Sequence, residues 1–208
     1  MYAIVEDGSI SRYVTQPKAI TIGEVQYPAK IFSVWSKSEL NAIGIYEVTF
    51  DDSNKKDEKW YINTNQTYTY DASAGTVTAT YGTATAKAHA DTLWTSQDKT
   101  DGKIPEGKDV GDVAVEGLKT QLIRIIKKQA AGILQDTDWY IVRKADAGTA
   151  VPSAITTHRA AVRTKAAEME TAITNAANTP ALETLHTYTE QEDGSVTRPL
   201  GELPILES

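Results

Sequence analysis

The hydrophobic pattern changes period near residue 110, so this chain cannot fold as one kind of regular structure. Before that point, apolar and polar side chains alternate, the spacing that turns one face of a strand to a core. Beyond it, apolar residues recur every three to four positions, as on the stripe of an amphipathic helix. In the first half, Ala3-Ile4-Val5, Asp7-Gly8 and Ile10-Ser11-Arg12-Tyr13 read as a hairpin, because glycine accepts the positive φ of a tight turn. Residues 45–50 and 59–62 read as further strands, separated by a polar loop. Residues 66–70 and 76–81 read as a second hairpin around Asp71-Ala72-Ser73-Ala74-Gly75. Residues 36–42 suit a short helical turn capped by Ser36 or Ser38. The chain holds 27 threonines, eight of them between Thr64 and Thr85, a composition suited to solvated strand faces.

Residues 96–111 are polar and glycine-rich and read as a linker. Past them, Val115, Leu118, Leu122, Ile126 and Ile133 share one helical stripe. A second helix is predicted from Pro152, with Ile155, Val162, Ala166, Met169 and Ile173 on its stripe and Pro180 as its bound. Alanines at 160, 161, 166, 167 and 172 permit close approach of a neighbouring helix. From His186 onward β character returns, and Asp193-Gly194-Ser195 echoes Asp7-Gly8-Ser9. The fold class read from these patterns is α+β. A mostly antiparallel β module spans 1–105. Two long helices form a helical hairpin over 106–185 with a turn at Thr137-Asp138-Trp139. A short β-like tail covers 186–208. Thr137 or Asp138 is expected to cap that turn, and Gly148 to end a helix in the left-handed region. Trp139 is expected to bury its ring against the stripe between Leu118 and Ile133, so that truncation would cost roughly 3–5 kcal/mol.

Composition removes several functions. Twenty-one basic and 28 acidic residues leave a net charge of −7, which disfavours general binding to a nucleic-acid backbone. No apolar run approaches the ~18 residues of a membrane span. The opening Met1-Tyr2-Ala3-Ile4-Val5-Glu6 lacks the basic and apolar regions of a secretory signal, which predicts synthesis in the cytoplasm. Without cysteine there is no disulfide framework, thiol nucleophile or thiolate zinc site.

The search for chemistry assigns no catalytic, cofactor-binding or metal-binding residue, and the chain is not expected to be an enzyme. His89, His158 and His186 are far apart without ligand spacing, and His158 is expected to be solvated or capping. Asp136-Thr137-Asp138 could offer oxygen ligands to a hard cation but sits where a connection needs capping. Trp60, Tyr61, Tyr68, Tyr70, Tyr81 and Trp94 could form a glycan-binding face or pack across strands. Charge is unevenly spread: 1–118 carries −6, 119–165 carries +6 and 166–208 carries −7. Arg143, Lys144, Arg159 and Arg163 in the basic middle are expected to pair with Asp136, Asp138, Asp146 or the acidic residues of another subunit. A homo-oligomer with Arg159 and Arg163 near its contact follows.

The stretch Leu134-Gln135-Asp136-Thr137-Asp138-Trp139-Tyr140-Ile141-Val142-Arg143-Lys144, then Gly148-Thr149-Ala150-Val151-Pro152 and His158-Arg159-Ala160-Ala161-Val162-Arg163, resembles the C-terminal region of tailed-bacteriophage tail-fibre and tail-fibre-assembly-like proteins. Tyr2 through Ile10 is similar to the N-termini of phage tail-associated proteins. His158 stands where that family usually has Tyr, and Val162 where it has Leu. The resemblance implies a virion structural protein of the tail fibre, its attachment point or the baseplate. Its partners would be other tail or baseplate proteins and copies of itself, a trimer among the arrangements. The alternatives are an assembly chaperone that does not stay in the virion and a receptor module that binds a host-surface glycan.

Overall fold

The computed structural model describes residues 1–206, and the chain divides into two compact units, the first ending at Thr85 and the second beginning at Ala86. Together they bear out the α+β class. The division falls some way before the 105/106 boundary placed by composition.

In the first unit, β1 (Tyr2–Glu6) and β2 (Ser9–Val14) form the expected hairpin. Asp7 and Gly8 both take positive φ, 50° and 75°, the geometry that matches strand twist in a two-residue turn. A second hairpin that the pattern did not reveal follows, β3 (Ile20–Ile22) and β4 (Val25–Tyr27). Then come α1 (Ile31–Val34), α2 (Lys37–Ala42), β5 (Ile45–Asp51), β6 (Tyr61–Ile62), β7 (Gln66–Asp71) and β8 (Thr76–Tyr81), with β9 (Thr85–Ala86) at the boundary. Ser36 begins α2 as a capping box: Glu39 N–H donates to its hydroxyl at 3.3 Å, and Ser36 N–H donates to the Glu39 carboxylate at 2.7 Å.

The main sheet runs β2-β1-β5-β8-β7. Its pairs are antiparallel except β5 with β8, which is parallel. One face packs Ile4, Val14 and Ile45 against Ile20, Ile31, Phe32 and Leu40 from the small hairpin and the two short helices. The other gathers Ala3, Val48, Val77 and Ala79 with Tyr46, Tyr68 and Tyr70. The sheet curls until its two edges meet, with the rings of Tyr13 on β2 and Tyr68 on β7 4.7 Å apart. Gly44 makes the β5 entry possible. Its φ is +80°, and a Cβ there would lie 2.5 Å from the Val5 carbonyl oxygen.

The second unit contains β10 (Thr92–Leu93), α3 (Ser96–Thr100), β11 (Val113–Val115), α4 (Leu118–Gln135), α5 (Asp138–Ala147), α6 (Ser153–Asn175), α7 (Thr179–His186) and the hairpin β12 (Thr189–Glu190) with β13 (Val196–Thr197). The polar stretch 96–111 is therefore not a bare linker. It holds α3, started by a Thr95–Asp98 capping box, and lies between the paired strands β10 and β11. Val115 sits on β11 and is exposed, so the helical stripe begins only at Leu118. Residues 88–91 belong here because they finish the N-terminus of α4. Leu118 N–H donates to Ala88 O and Lys119 N–H to His89 O, both at 3.0 Å. Asp91 accepts from Gly117 N–H at 2.7 Å and from the Thr120 hydroxyl at 2.8 Å. These bonds satisfy the orphan donors that Gly117, without a side chain, cannot cap.

The two long helices appear as expected: α4 packs on α6, burying Leu118, Leu122, Ile126 and Ala130 on one, and Ile155, Val162, Ala166, Met169 and Ile173 on the other. Two helices beyond that hairpin also form. The predicted turn at 137–139 opens a ten-residue helix, α5, and Pro180 sits in the first turn of α7 instead of merely ending α6. Gly148 closes α5 at φ 68°, the left-handed ending expected of it. No helix among the described residues is long and apolar enough to cross a membrane.

Candidate functional site

The residues that carried the family resemblance converge on the elbow between α4 and α5. Arg159 lies on the buried stripe of α6, 7% exposed. Its Nη1 donates to Leu134 O at 2.7 Å and to Thr137 Oγ1 at 2.6 Å, while Nη2 donates to Asp138 Oδ1 at 2.8 Å. Leu134 O, among the last carbonyls of α4, also accepts from Thr137 N–H at 3.1 Å and from the Thr137 hydroxyl at 3.0 Å. One guanidinium thus closes the end of one helix and holds the carboxylate at the start of the next. Asp138 is well placed for this, since a carboxylate in a first helical turn also meets the positive end of the helix dipole.

This geometry corrects two expectations. Thr137 precedes α5 but makes no side-chain cap to it, because its hydroxyl is turned to Leu134 O and Arg159. Arg159 cannot line an intersubunit contact, since it is buried and committed within the unit. Its partner Asp138 was among the internal partners expected, and the ion pair is present. Arg163, one helical turn on, is exposed.

The elbow projects α5 outward, and none of that helix's side chains is buried. Trp139 is 50% exposed and Val142 65%, with Ile141 exposed beside them. The expected burial of Trp139 against α4 is overturned. Its ring lies 3.8 Å from that of Tyr140, and the Arg143 guanidinium sits 4.6 Å from its centroid. Arg143 thereby shields one side of the ring by a cation–π contact.

Other expected residues fall elsewhere. His158 is buried on α6, not solvated, because it shares the inward side of the helix with Ile155 and Val162. His89 contributes its carbonyl to the α4 start, and His186 Nδ1 lies 2.8 Å from Leu182 O. No cluster of three or more His, Cys, Asp or Glu residues that could hold a metal ion occurs among the described residues. In the first unit Trp60 and Tyr61 are buried, and Tyr46 on β5 and Tyr70 on β7 join their hydroxyls at 3.0 Å. That hydrogen bond raises the Tyr46 pKa above its ordinary value, with burial adding to it.

Sequence reasoning found the residues of the elbow but not its exposed helix. The signal was present as Ile141 and Val142 beside Trp139, too apolar a run for a loop. Comparison with protein-family models, curated proteins and solved structures yields no match to this chain.

Proposed function

We propose that the protein is a structural component of a bacteriophage tail, at the fibre, its attachment point or the baseplate, and that it acts through protein–protein assembly. The observation that carries this reading is α5, an exposed helix bearing Trp139, Ile141 and Val142 on a rigid elbow. Aromatic and aliphatic side chains grouped on such a surface are the raw material of an interface. The motif Leu134, Thr137, Asp138 and Arg159 supports the phage setting, since the residues that resemble tail-fibre proteins are the ones that build this elbow. The test is quantitative proteomics of purified particles. A virion component appears at a fixed stoichiometry to other tail proteins, whereas an assembly chaperone is absent or far below it.

A further inference from the structure

The last turn of α4 carries a glycine that nothing inside the chain requires. Gly132 keeps an ordinary helical backbone, and a Cβ added to it would meet no atom within 4 Å. Glycine is the poorest helix former after proline, so neither backbone conformation nor internal packing accounts for it. Its missing side chain deepens a cleft of about 460 Å³ between the end of α4 and the C-terminal tail, a volume within the range of small-ligand sites. Ile133, Leu203 and the almost fully buried Met169 of α6 give the cleft its apolar lining. The tail wall is fixed in place. Leu200 is buried and its N–H donates to Leu185 O at 3.0 Å, while Arg198 Nε donates to Gly201 O at 3.1 Å. Arg198 and Glu202 satisfy one another through two contacts of 2.7 and 2.8 Å, and Glu202 also accepts the Tyr188 hydroxyl at 2.6 Å. Asp136 is left as the uncommitted charge of the lining, its carboxylate forming no hydrogen bond or ion pair among the described residues. Gln129, two turns earlier on the same face of α4, has an uncommitted side-chain amide.

We propose that this cleft is a binding site for a primary ammonium ion carried on a slim apolar body, with the ammonium on Asp136 and the body lying across Gly132 against Met169 and Leu203. Asp136 is the C-terminal cap of α4, so an acceptor-only carboxylate stands at the negative end of the helix dipole, and the last turn holds no basic residue of its own. Arg159 reaches Leu134 O there, but its charge is paired with Asp138. Lys128 stands eight residues before Asp136, about 12 Å along the helix and too far to pair. Lys165 is held by Glu168 at 3.6 Å. A metal ion would be a poor occupant, because one carboxylate among apolar side chains lacks the several oxygen ligands that hard cations need. An ammonium needs fewer acceptors, and the bare backbone at Gly132 lets a thin chain or a ring approach closer than any other residue would permit. A free amine and the lysine side chain of another protein share this chemistry. The site is independent of the assembly reading and stands whether or not the chain belongs to a virion.

NMR titration of the full chain with phenylpropylamine tests it, beside phenylpropanol, phenylpropionate and a blocked lysine peptide. The amine should shift the signals of Gly132, Ile133 and the Met169 methyl. It should bind at least about tenfold more tightly than the alcohol, the effect of one charge-assisted hydrogen bond, and the carboxylate should bind more weakly still. Asp136→Asn should remove that advantage. Gly132→Ala should raise the thermal midpoint, since alanine is the better helix former. Gly132→Leu should fold as the wild type does and lose the amine. With the site so established, tighter binding of the lysine peptide names a partner's side chain as the source of the ammonium, and tighter binding of phenylpropylamine names a free amine. An amine that leaves these signals unmoved, binds no better than the alcohol or ignores Asp136→Asn overturns the proposal. So does a Gly132→Ala variant with a lowered midpoint, because the glycine would then serve packing inside the chain.

Discussion

The two units treat the same kind of side chain in opposite ways. In residues 1–85, aromatic rings find partners far away in sequence: Tyr2 meets Phe32 at 4.8 Å, Tyr13 meets Tyr68 at 4.7 Å and Tyr46 meets Tyr70 at 4.8 Å. In the helical unit, the Trp139 ring meets Tyr140 and Arg143, its neighbours on the same helix, and stays half exposed. Strand pairing brings Tyr13 to Tyr68 and Tyr46 to Tyr70 from distant parts of the chain. A short helix projecting from an elbow offers its rings only the next turn. The difference lies in where the partners of these rings come from: distant parts of the chain in the first unit, the same helix for Trp139.

The contrast would be broken first at the sheet. Ile4→Ala removes a side chain fully buried between β1 and its covering helices and should cost about 4 kcal/mol. Denaturant unfolding followed by hydrogen exchange should place that loss in residues 1–85. Arg159→Ala comes next, at about 3 kcal/mol, because the Leu134 carbonyl and the buried Thr137 hydroxyl lose their charged donor. Faster amide exchange across α5 is the expected readout, and exchange unchanged there would show that the clamp does not hold the helix. Trp139→Ala should cost the isolated monomer less than about 1 kcal/mol, as an exposed side chain does, against the larger loss a core ring would bring. A large fall in stability of the monomer would return Trp139 to a core and erase the contrast.

The smallest effect is titration, and it should not distinguish the units. Hydrogen bonds from Ser36 to Glu39, Ser73 to Asp71 and Thr95 to Asp98 hold these carboxyls below their ordinary pKa values. A depressed folded-state value contributes stability that is complete above the ordinary carboxylate range, near pH 4, and disappears as pH falls through the lowered values. The contribution of these carboxyls should therefore decline below about pH 4. Glu39→Gln should reduce that pH dependence slightly, measured by carboxyl titration in NMR and by unfolding at several acidic pH values.

Local chemistry made much of this fold legible. Asp7-Gly8 specified a tight hairpin, Ser36 with Glu39 a helix start and Gly148 a helix end, each through bonds that span a few residues. The stripes of α4 and α6 were visible because burial at every third or fourth position leaves a periodic trace. Threonine was a less faithful guide. Those of β7 and β8 do lie on strand faces, but Thr171, Thr174 and Thr184 sit in helices, their hydroxyls bonded to the carbonyl four residues back. The parallel pairing of β5 with β8 left no local mark, nor did the assignment of residues 88–91 to the start of α4.

The sequence by itself thus determined the periods, the turns, the caps and the uneven charge, all properties of a chain and its near neighbours. Only the tertiary structure decided that Arg159 lies inside and Trp139 outside. Both residues suited either place on pattern alone: an arginine four residues from the next can be a surface cation, and a tryptophan after a helix can be a core ring. The choice depended on Leu134 O, Thr137 and Asp138 arriving together at one side of α6. Three polar partners can compensate a buried guanidinium, whereas a periodic pattern records burial without recording the partners that make it affordable.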